Sequence, residues 1–179
     1  LVLINSVAQY FPTTDYTLQV LKQAINALEK GGCVFVGDMQ GKSTLSLFHT
    51  IDYLVKANPI TTISSLQEVV DHRTQIEDEL VADPSFFYLL PTIFPEITGV
   101  DVQLRRGYLI NETTKYHFDV WLYVNTTIEI AQPEHTIQWD STRSLTSIEE
   151  LLVTATYAVL EVKNIPNART YNDIKIKQQ

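Results

Sequence analysis

The first 40 residues contain two continuous apolar runs separated by a segment of helical periodicity. The runs at 1–4 (LVLI) and 33–39 (CVFVGDM) predict strands that are buried on both faces, as in a parallel sheet. Between them, apolar residues recur at helical spacing over 16–28, and a basic residue followed by two glycines at 30–32 ends the segment. This order predicts a β-α-β unit with two parallel strands.

Helical patterns dominate the next part of the chain. The first predicted helix covers 45–55, and the second begins near Ser64, where Glu68 fits a capping box. The second helix is predicted to continue through the acidic segment that ends at residue 81. The third begins at Pro84, because proline is favoured in the first helical turn, and ends by residue 94.

Two alternating segments follow, at 99–107 and 116–124, and they predict strands that are antiparallel neighbours. Beyond residue 124 the sequence becomes linker-like, with a helix predicted over 146–155 and a final strand after it. The pattern therefore predicts an α/β fold. We divide the chain at this change of texture, into a domain at 1–124 and an extension or linker toward a neighbouring domain at 125–179.

Composition excludes several classes of function. The chain has 179 residues, 45% of them hydrophobic, and a formal net charge of −8, which disfavours nucleic-acid binding. A single cysteine excludes an intrachain disulfide, and no apolar stretch is long enough to span a membrane. The apolar start lacks the basic residues of a secretory signal, so we expect a cytoplasmic protein. The four histidines show no metal-ligand spacing, and His117 is predicted to be a packed or surface residue.

Polar residues end the two predicted parallel strands. Asn5 and Ser6 follow the first strand, and Asp38 follows the second. Ligands of open α/β sheets bind at the carboxyl ends of strands, so these side chains are candidates for a ligand crevice. Tyr10 and Phe11 offer ring faces that attract a cation. The alternative is a capped strand end with two aromatic residues in the core.

Further polar candidates lie in two other segments. Glu79 belongs to an acidic run that is typical of a solvated helix face. The segment RRGYLINETTKY is typical of a polar connection between strands, although four of its side chains could approach a crevice: Arg106, Asn111, Glu112 and Tyr116. The segment VGDMQGKST does not fit a phosphate-binding P-loop, because only three residues separate its glycines where that motif needs four.

Several separated motifs, in the same order, resemble the methyltransferase domains embedded in nonribosomal peptide synthetases. They are LINSVAQYFPTTDYTLQVL, GGCVFVGDMQ, LFHT, EDELVADPSFF, VDVQLRRGYLINETTKYHFDVWLYV and IPNAR, and they cover almost the whole chain. The resemblance implies a Rossmann-like class I methyltransferase that uses S-adenosylmethionine, with parallel strands and a final antiparallel strand. Most members of the family N-methylate an aminoacyl thioester, and some methylate a side-chain oxygen or another atom.

The chain departs from the family in one respect. The glycine-rich loop and the acidic residue that hold the cofactor in the family precede the NSVxQYFP motif, and this chain contains neither. The first residue is also not methionine. We therefore interpret the chain as the C-terminal half of the domain. It is expected to be inactive alone, or to be a noncatalytic interaction fragment of a synthetase.

The resemblance also implies roles for the candidate residues. In such folds the end of this strand lies beside the transferred methyl group, so Asn5 and Ser6 are expected to orient the nucleophile. The other assignments are Gln9, Tyr10 and Phe11 beside the cofactor; Asp38, Arg106 and Tyr116 at the substrate; and Glu79, Asn111 and Glu112 as further catalytic candidates.

The implied partners are other parts of a synthetase. They are the missing N-terminal half of the domain, a peptidyl carrier protein with a phosphopantetheine-bound substrate, and an adjacent adenylation domain. An apolar first strand without a neighbour on one side also predicts self-association, because unpaired strand edges recruit partners.

Overall fold

The computed structural model describes residues 1–28, 30–58, 60–128 and 131–178. Its main feature is a four-stranded sheet in the order β1-β2-β4-β3. The strands are β1 (Val2–Asn5), β2 (Gly32–Gln40), β3 (Ile97–Leu104) and β4 (His117–Val124). β1 and β2 are parallel, whereas β4 is antiparallel to both β2 and β3. The predicted α/β fold, with parallel strands and a final antiparallel strand, is confirmed, and β4 lies inside the sheet.

Helices connect these strands close to where the periodicity predicts them: α1 (Thr14–Asn26), α2 (Lys42–Lys56), α3 (Ile63–Gln75) and α4 (Pro84–Ile93). The short helix α5 (Glu112–Tyr116) was not predicted, because its residues have the pattern of a polar connection and the start of the next strand. A 3-10 turn at Ala8–Tyr10 lies between β1 and α1. Pro84 occupies the first turn of α4, as predicted, and the Asp83 side chain caps that helix.

The predicted start of α3 near Ser64 is correct to within one residue, whereas its predicted capping residues and its predicted end were wrong. The helix is capped by Thr62, whose capping-box partner is Ser65, and it ends at Gln75. The helix does not continue to residue 81, because the backbone there bonds to the 3-10 turn after β1 and to the last residue of β2. Leu80 N–H donates to the Gln9 carbonyl, and Ala82 N–H donates to the Gln40 carbonyl. Leu80 and Ala82 therefore lie at the carboxyl ends of β1 and β2.

The hydrophobic core lies on one face of the sheet. It combines strand residues with residues of α1 and α4, and its members include Ile4, Leu21, Ile25, Val34, Val36, Phe87, Leu90, Phe118, Val120 and Leu122. Side chains alternate between the two faces of a strand, so the intervening residues point away from this core.

The opposite face is open, and the prediction that the first strand is buried on both faces was wrong. Leu1 is 67% exposed and Leu3 is 63% exposed. The rings of Phe35 and Trp121 pack on this face with centroids 4.7 Å apart, beside an open depression of about 450 Å³. The run of apolar residues is real, but the described helices that contribute to the core cover the other face.

The chain divides into two compact units, one formed by 1–128 with 169–179 and the other by 129–168. The second unit contains a parallel strand pair, β5 (His135–Gln138) and β6 (Leu160–Lys163), and the helix α6 (Leu145–Thr154). α6 and β6 were predicted, whereas β5 was missed. The helix α7 (Tyr171–Lys177), which returns the chain to the first unit, was also missed.

Replacing Thr62 with alanine is expected to lower the free energy of unfolding by about 1 kcal/mol, because the first turn of α3 loses its capping hydrogen bond. Ser65 N–H donates to Thr62 Oγ1 at 3.2 Å. Urea denaturation of the variant measures the change. Ser64→Ala is the matched control, because Ser64 is exposed in the same turn. An equal loss in both variants would contradict the assignment of the cap.

Candidate functional site

The carboxyl ends of β1 and β2 bring two polar residues together. Ser6 and Asp38 have φ angles of 56° and 70°, a left-handed conformation that residues other than glycine seldom adopt. The backbone of Ser6 is linked to the residue before Asp38, since Ser6 N–H donates to the Gly37 carbonyl at 3.1 Å. Their side chains are also linked, since Ser6 Oγ donates to Asp38 Oδ2 at 2.8 Å. Strained residues cluster at functional sites, which favours this position as a site.

The Asp38 carboxylate is buried and is held from several directions. His117 Nδ1 lies 2.9 Å from Asp38 Oδ1, and Arg105 Nε lies 3.3 Å from the same oxygen. Arg105 also forms an ion pair with Asp119 at 2.9 Å, and Asp119 Oδ1 accepts the Asp38 backbone N–H at 3.0 Å. Asp38 is 7% exposed and His117 is 6% exposed. Buried charges need such partners, so these four side chains form one network.

Sequence reasoning missed three members of this network: Arg105, His117 and Asp119. The register of β4 explains why they converge there. β4 is antiparallel to β2, so its first residue, His117, lies opposite Gln40 at the carboxyl end of β2. A signal was present, because His117 and Asp119 alternate at the start of a strand that was predicted to be antiparallel to its neighbour. His117 is buried, as one of the two predicted alternatives required, but it also bonds to Asp38.

Asn5 extends the network to the surface of the crevice. Its Nδ2 donates to Ser6 Oγ at 3.2 Å, and the residue is exposed. Its Oδ1 lies over Gly37, where a Cβ atom would stand only 2.3 Å from that oxygen. Glycine at this position therefore makes room for the amide. The predicted site residues Asn5, Ser6 and Asp38 form one continuous hydrogen-bond chain.

Gln9 and Glu79 lie beside this chain. Gln9 is 4% exposed, and its Oε1 has no hydrogen-bond partner among the described residues. The backbone bond from Leu80 to Gln9 brings Glu79 to the same edge of the sheet. Burial raises the pKa of Glu79, His117 opposes that shift, and the nearby carboxylates of Glu77 and Glu112 raise the pKa further. The pKa of Glu79 therefore lies above its ordinary value of 4.5.

The two aromatic candidates differ in exposure. Tyr10 is 67% exposed, so its ring is available to a ligand. Phe11 is partly buried, and its ring packs edge-on against Tyr16 with centroids 5.1 Å apart. Phe11 packs against the core. The alternative that these aromatic residues belong to the core therefore fits Phe11 better than Tyr10.

The remaining candidates make other contacts. Asn111 caps α5 through its Oδ1, which accepts the Thr114 N–H at 3.1 Å. Tyr116 donates its hydroxyl to Asp173 Oδ2 at 2.7 Å, and burial together with that bond raises the pKa of Tyr116. Arg106 is exposed at the open face of the sheet, near Trp121. The structure brings none of these three side chains into hydrogen bonds with the Asp38 network in its described residues.

Replacing Glu79 with glutamine is expected to raise the free energy of unfolding near neutral pH. The folded pKa of Glu79 lies above its ordinary value of 4.5, so its stabilising contribution is complete below that value and is lost as pH rises through the folded pKa. The gain in the variant should therefore vanish below pH 4.5. Urea denaturation across the pH range measures this, with the exposed neighbour Asp78→Asn as control. A gain independent of pH would contradict the prediction.

Comparison with known proteins identifies where such a segment occurs. The chain is 37% identical over 183 aligned residues to chondramide synthase of Chondromyces crocatus, an alignment that covers 98% of the chain. It is 31% identical to a nonribosomal peptide synthetase of Curvularia clavata and 29% identical to cyclosporin synthetase of Tolypocladium inflatum, over 94% and 95% of the chain. The chain is similar to a segment of nonribosomal peptide synthetases.

The chain matches only a small part of the length of each of these synthetases. The chain spans 5% of the length of chondramide synthase and 1% of each of the other two synthetases. No known family model matches the sequence. In the described parts of the chain, no helix combines the length and apolar character needed to cross a membrane. Residues 1–28, 30–58, 60–128 and 131–178 contain no group of His, Cys, Asp and Glu side chains that could hold a metal ion.

Proposed function

We propose that the chain is the acceptor side of an S-adenosylmethionine-dependent methyltransferase domain of a nonribosomal peptide synthetase. The acceptor would be the amine of an aminoacyl thioester on a carrier protein. The observation that carries the proposal is the hydrogen-bond chain from Asn5 through Ser6 to Asp38, at the carboxyl ends of two parallel strands. The similarity to synthetases and the position of β4 in the sheet support it.

The residues of this chain would act by orienting the acceptor and by receiving its proton. Asn5 is exposed at the strand end and can accept a hydrogen bond from an amine. An amine attacks only when it is neutral, so a proton acceptor must be near. Asp38 is already bonded to Ser6, His117 and Arg105, whereas Glu79 is less buried and has a raised pKa. We assign proton acceptance to Glu79.

S-adenosylmethionine would supply a methyl group that is activated by its bond to a sulfonium sulfur. The residues here that fit such a cation are the exposed ring of Tyr10 and the buried, unpartnered Oε1 of Gln9. Phe11 would support Tyr10 from the core side. The glycine-rich cradle would come from another segment of the same synthetase.

The open sheet supports a partner of this kind. β1 is an edge strand of the described sheet, and the exposed side chains of Leu1 and Leu3 lie on its uncovered face. An exposed apolar edge favours pairing with another strand. We propose that the N-terminal half of the domain pairs there, and that self-association occurs when it is absent. The carrier protein and an adenylation domain would be further partners within the synthetase.

The test is methyl transfer by the full-length synthetase that contains this chain. Aminoacyl carrier protein and S-adenosylmethionine labelled in its methyl group are incubated with it, and fragmentation mass spectrometry locates the label. We expect the label on the α-nitrogen of the aminoacyl group. A carrier loaded with the matching hydroxy acid should stay unlabelled, and labelling of it would favour an oxygen acceptor instead.

A noncatalytic interaction module is the second candidate, and the uncovered face of β1 favours it. Complete absence of methyl transfer by the full-length synthetase would overturn the enzymatic proposal. If deletion of the segment then abolished loading of the carrier protein, the noncatalytic candidate would hold.

A further inference from the structure

We infer that Asp38 is a positioning residue that fixes the orientation of the Asn5 side-chain amide through Ser6. The inference rests on the proposed function, because the oriented amide oxygen is the group that meets the methyl acceptor. His117 and Arg105 hold Asp38 in place, because both contact the carboxylate oxygen that does not bond to Ser6.

The first step is the direction of the bond between Ser6 and Asp38. An ionised carboxylate only accepts hydrogen bonds, and a serine hydroxyl has a single hydrogen. Because Ser6 Oγ lies 2.8 Å from Asp38 Oδ2, that hydrogen is committed to Asp38. Ser6 Oγ can then only accept from its other neighbour.

The second step follows for Asn5. Its side chain faces Ser6 Oγ at 3.2 Å, and only its Nδ2 can donate to an oxygen that has no hydrogen left to give. The Oδ1 atom is therefore turned away from Ser6 and lies over Gly37, where the absence of a Cβ leaves space for it. The amide has one preferred orientation, although its two ends are nearly equal in size.

The third step explains why Asp38 itself does not rotate. Both His117 and Arg105 contact Asp38 Oδ1, and the Asp38 backbone N–H donates to Asp119 Oδ1. The arginine charge also compensates the buried carboxylate. Oδ2 is thus left facing Ser6. The arrangement also excludes a Ser-His-Asp nucleophile, since the Ser6 hydroxyl bonds to the carboxylate and not to the imidazole.

The consequence is selectivity for an acceptor that can donate hydrogen. A carbonyl oxygen at this position favours an amine N–H or a hydroxyl and disfavours acceptors without a hydrogen. The uncommon φ angles of Ser6 and Asp38 are then explained, because they turn the two side chains toward each other.

Asp38→Asn tests the direction of the chain directly. Its new amide can donate to Ser6 Oγ, which frees the Ser6 hydrogen to bond Asn5 Oδ1 and turns the Asn5 amide around. We expect kcat of the full-length synthetase to fall about five- to tenfold, the value of one hydrogen bond, with KM for the methyl donor unchanged. Ser6→Ala should give the same loss. The double variant should lose no more than the worse single variant, because both changes act on one path.

Two further variants separate this role from a general structural effect. Ser6→Gly removes the hydroxyl while accommodating the left-handed backbone, so a loss equal to that of Ser6→Ala excludes strain as the cause. Ser64→Ala removes an exposed hydroxyl elsewhere and should leave kcat unchanged. Unchanged kcat in both Ser6 variants, or additive losses in the double variant, would overturn the inference.

A readout independent of activity keeps the inference testable if the synthetase transfers no methyl group. In nuclear magnetic resonance spectra of this chain, one Asn5 side-chain proton should exchange slowly with water because it bonds to Ser6 Oγ. That protection should disappear in Ser6→Ala and in Asp38→Asn. Fast exchange of both protons in the unaltered chain would overturn the inference, whereas absent methyl transfer with intact protection would count only against the proposed function.

Discussion

Replacing Phe87 with alanine is expected to lower the free energy of unfolding by about 3–5 kcal/mol, the cost of removing a fully buried aromatic ring. Phe87 is 0% exposed and lies on α4 against the core face of the sheet. Its ring packs edge-on against Phe86 and Phe118, with centroid distances of 5.1 Å and 5.8 Å. Such pairs add to the energy of burial. Urea denaturation followed by circular dichroism measures the change.

Leu89 provides the matched control on the same helix. It is 59% exposed, so Leu89→Ala should change the free energy of unfolding by no more than about 0.5 kcal/mol. Both substitutions place alanine in α4, so the difference between them isolates burial from helix propensity. A loss below about 1 kcal/mol in Phe87→Ala would contradict the core described here.

Phe87 also connects stability to the candidate site. Its neighbour Phe118 lies between His117 and Asp119, the two β4 residues that bond to Asp38. A cavity beside Phe118 would loosen the strand that carries them. Core packing on one face of β4 therefore supports the charged network that forms at the start of the same strand.

The pattern of apolar and polar residues predicted helices and strands correctly where one face of the element is buried. Alternation over β3 and β4 and the helical repeat of α1 led to the correct order and the correct antiparallel pairing. The predicted end of α3 was wrong because residues 76–81 have a composition suitable for a helix. Backbone bonds from Leu80 to Gln9 and from Ala82 to Gln40 override that preference, and they join residues far apart in sequence.

The site could be predicted only in part, for a related reason. Asn5, Ser6 and Asp38 were found because the carboxyl ends of parallel strands meet at one edge. Arg105 directly follows β3 and His117 begins β4, two strands whose positions in the sheet depend on long-range pairing. A sequence pattern does not report their register. The exposure of Leu3 was missed because a run of apolar residues does not show which neighbours cover it.

The helix α7 shows the same limit. Its sequence is short and polar, yet Asp173 is buried and accepts hydrogen bonds from Lys115 and Tyr116. These bonds hold Lys115 and Tyr116, the two residues that directly precede the first residue of β4, His117. The hydroxyl of Tyr116 was predicted to meet a substrate, and the structure gives it a partner in α7.

Replacing Gly37 with alanine is expected to lower kcat for methyl transfer about five- to tenfold, although the sheet should remain intact. A Cβ at this position would lie 2.3 Å from Asn5 Oδ1 and 2.5 Å from the Phe35 ring. Both contacts are to side chains, and Asn5 is exposed, so the amide can move aside without disturbing the backbone. The displaced amide would lose the one hydrogen bond with which it orients the acceptor, a loss worth about five- to tenfold in rate.

Combining Gly37→Ala with Asn5→Ala tests whether Gly37 acts through Asn5. It should lower kcat by at least as much, because it removes the amide that Gly37→Ala only displaces. Adding Gly37→Ala to Asn5→Ala should then have no further effect on kcat, since the two changes remove one interaction. Steady-state kinetics of the full-length synthetase with aminoacyl carrier protein measures all three variants. If Gly37→Ala lowered kcat by the same factor with and without Asn5→Ala, Gly37 would act on another part of the crevice and not through Asn5.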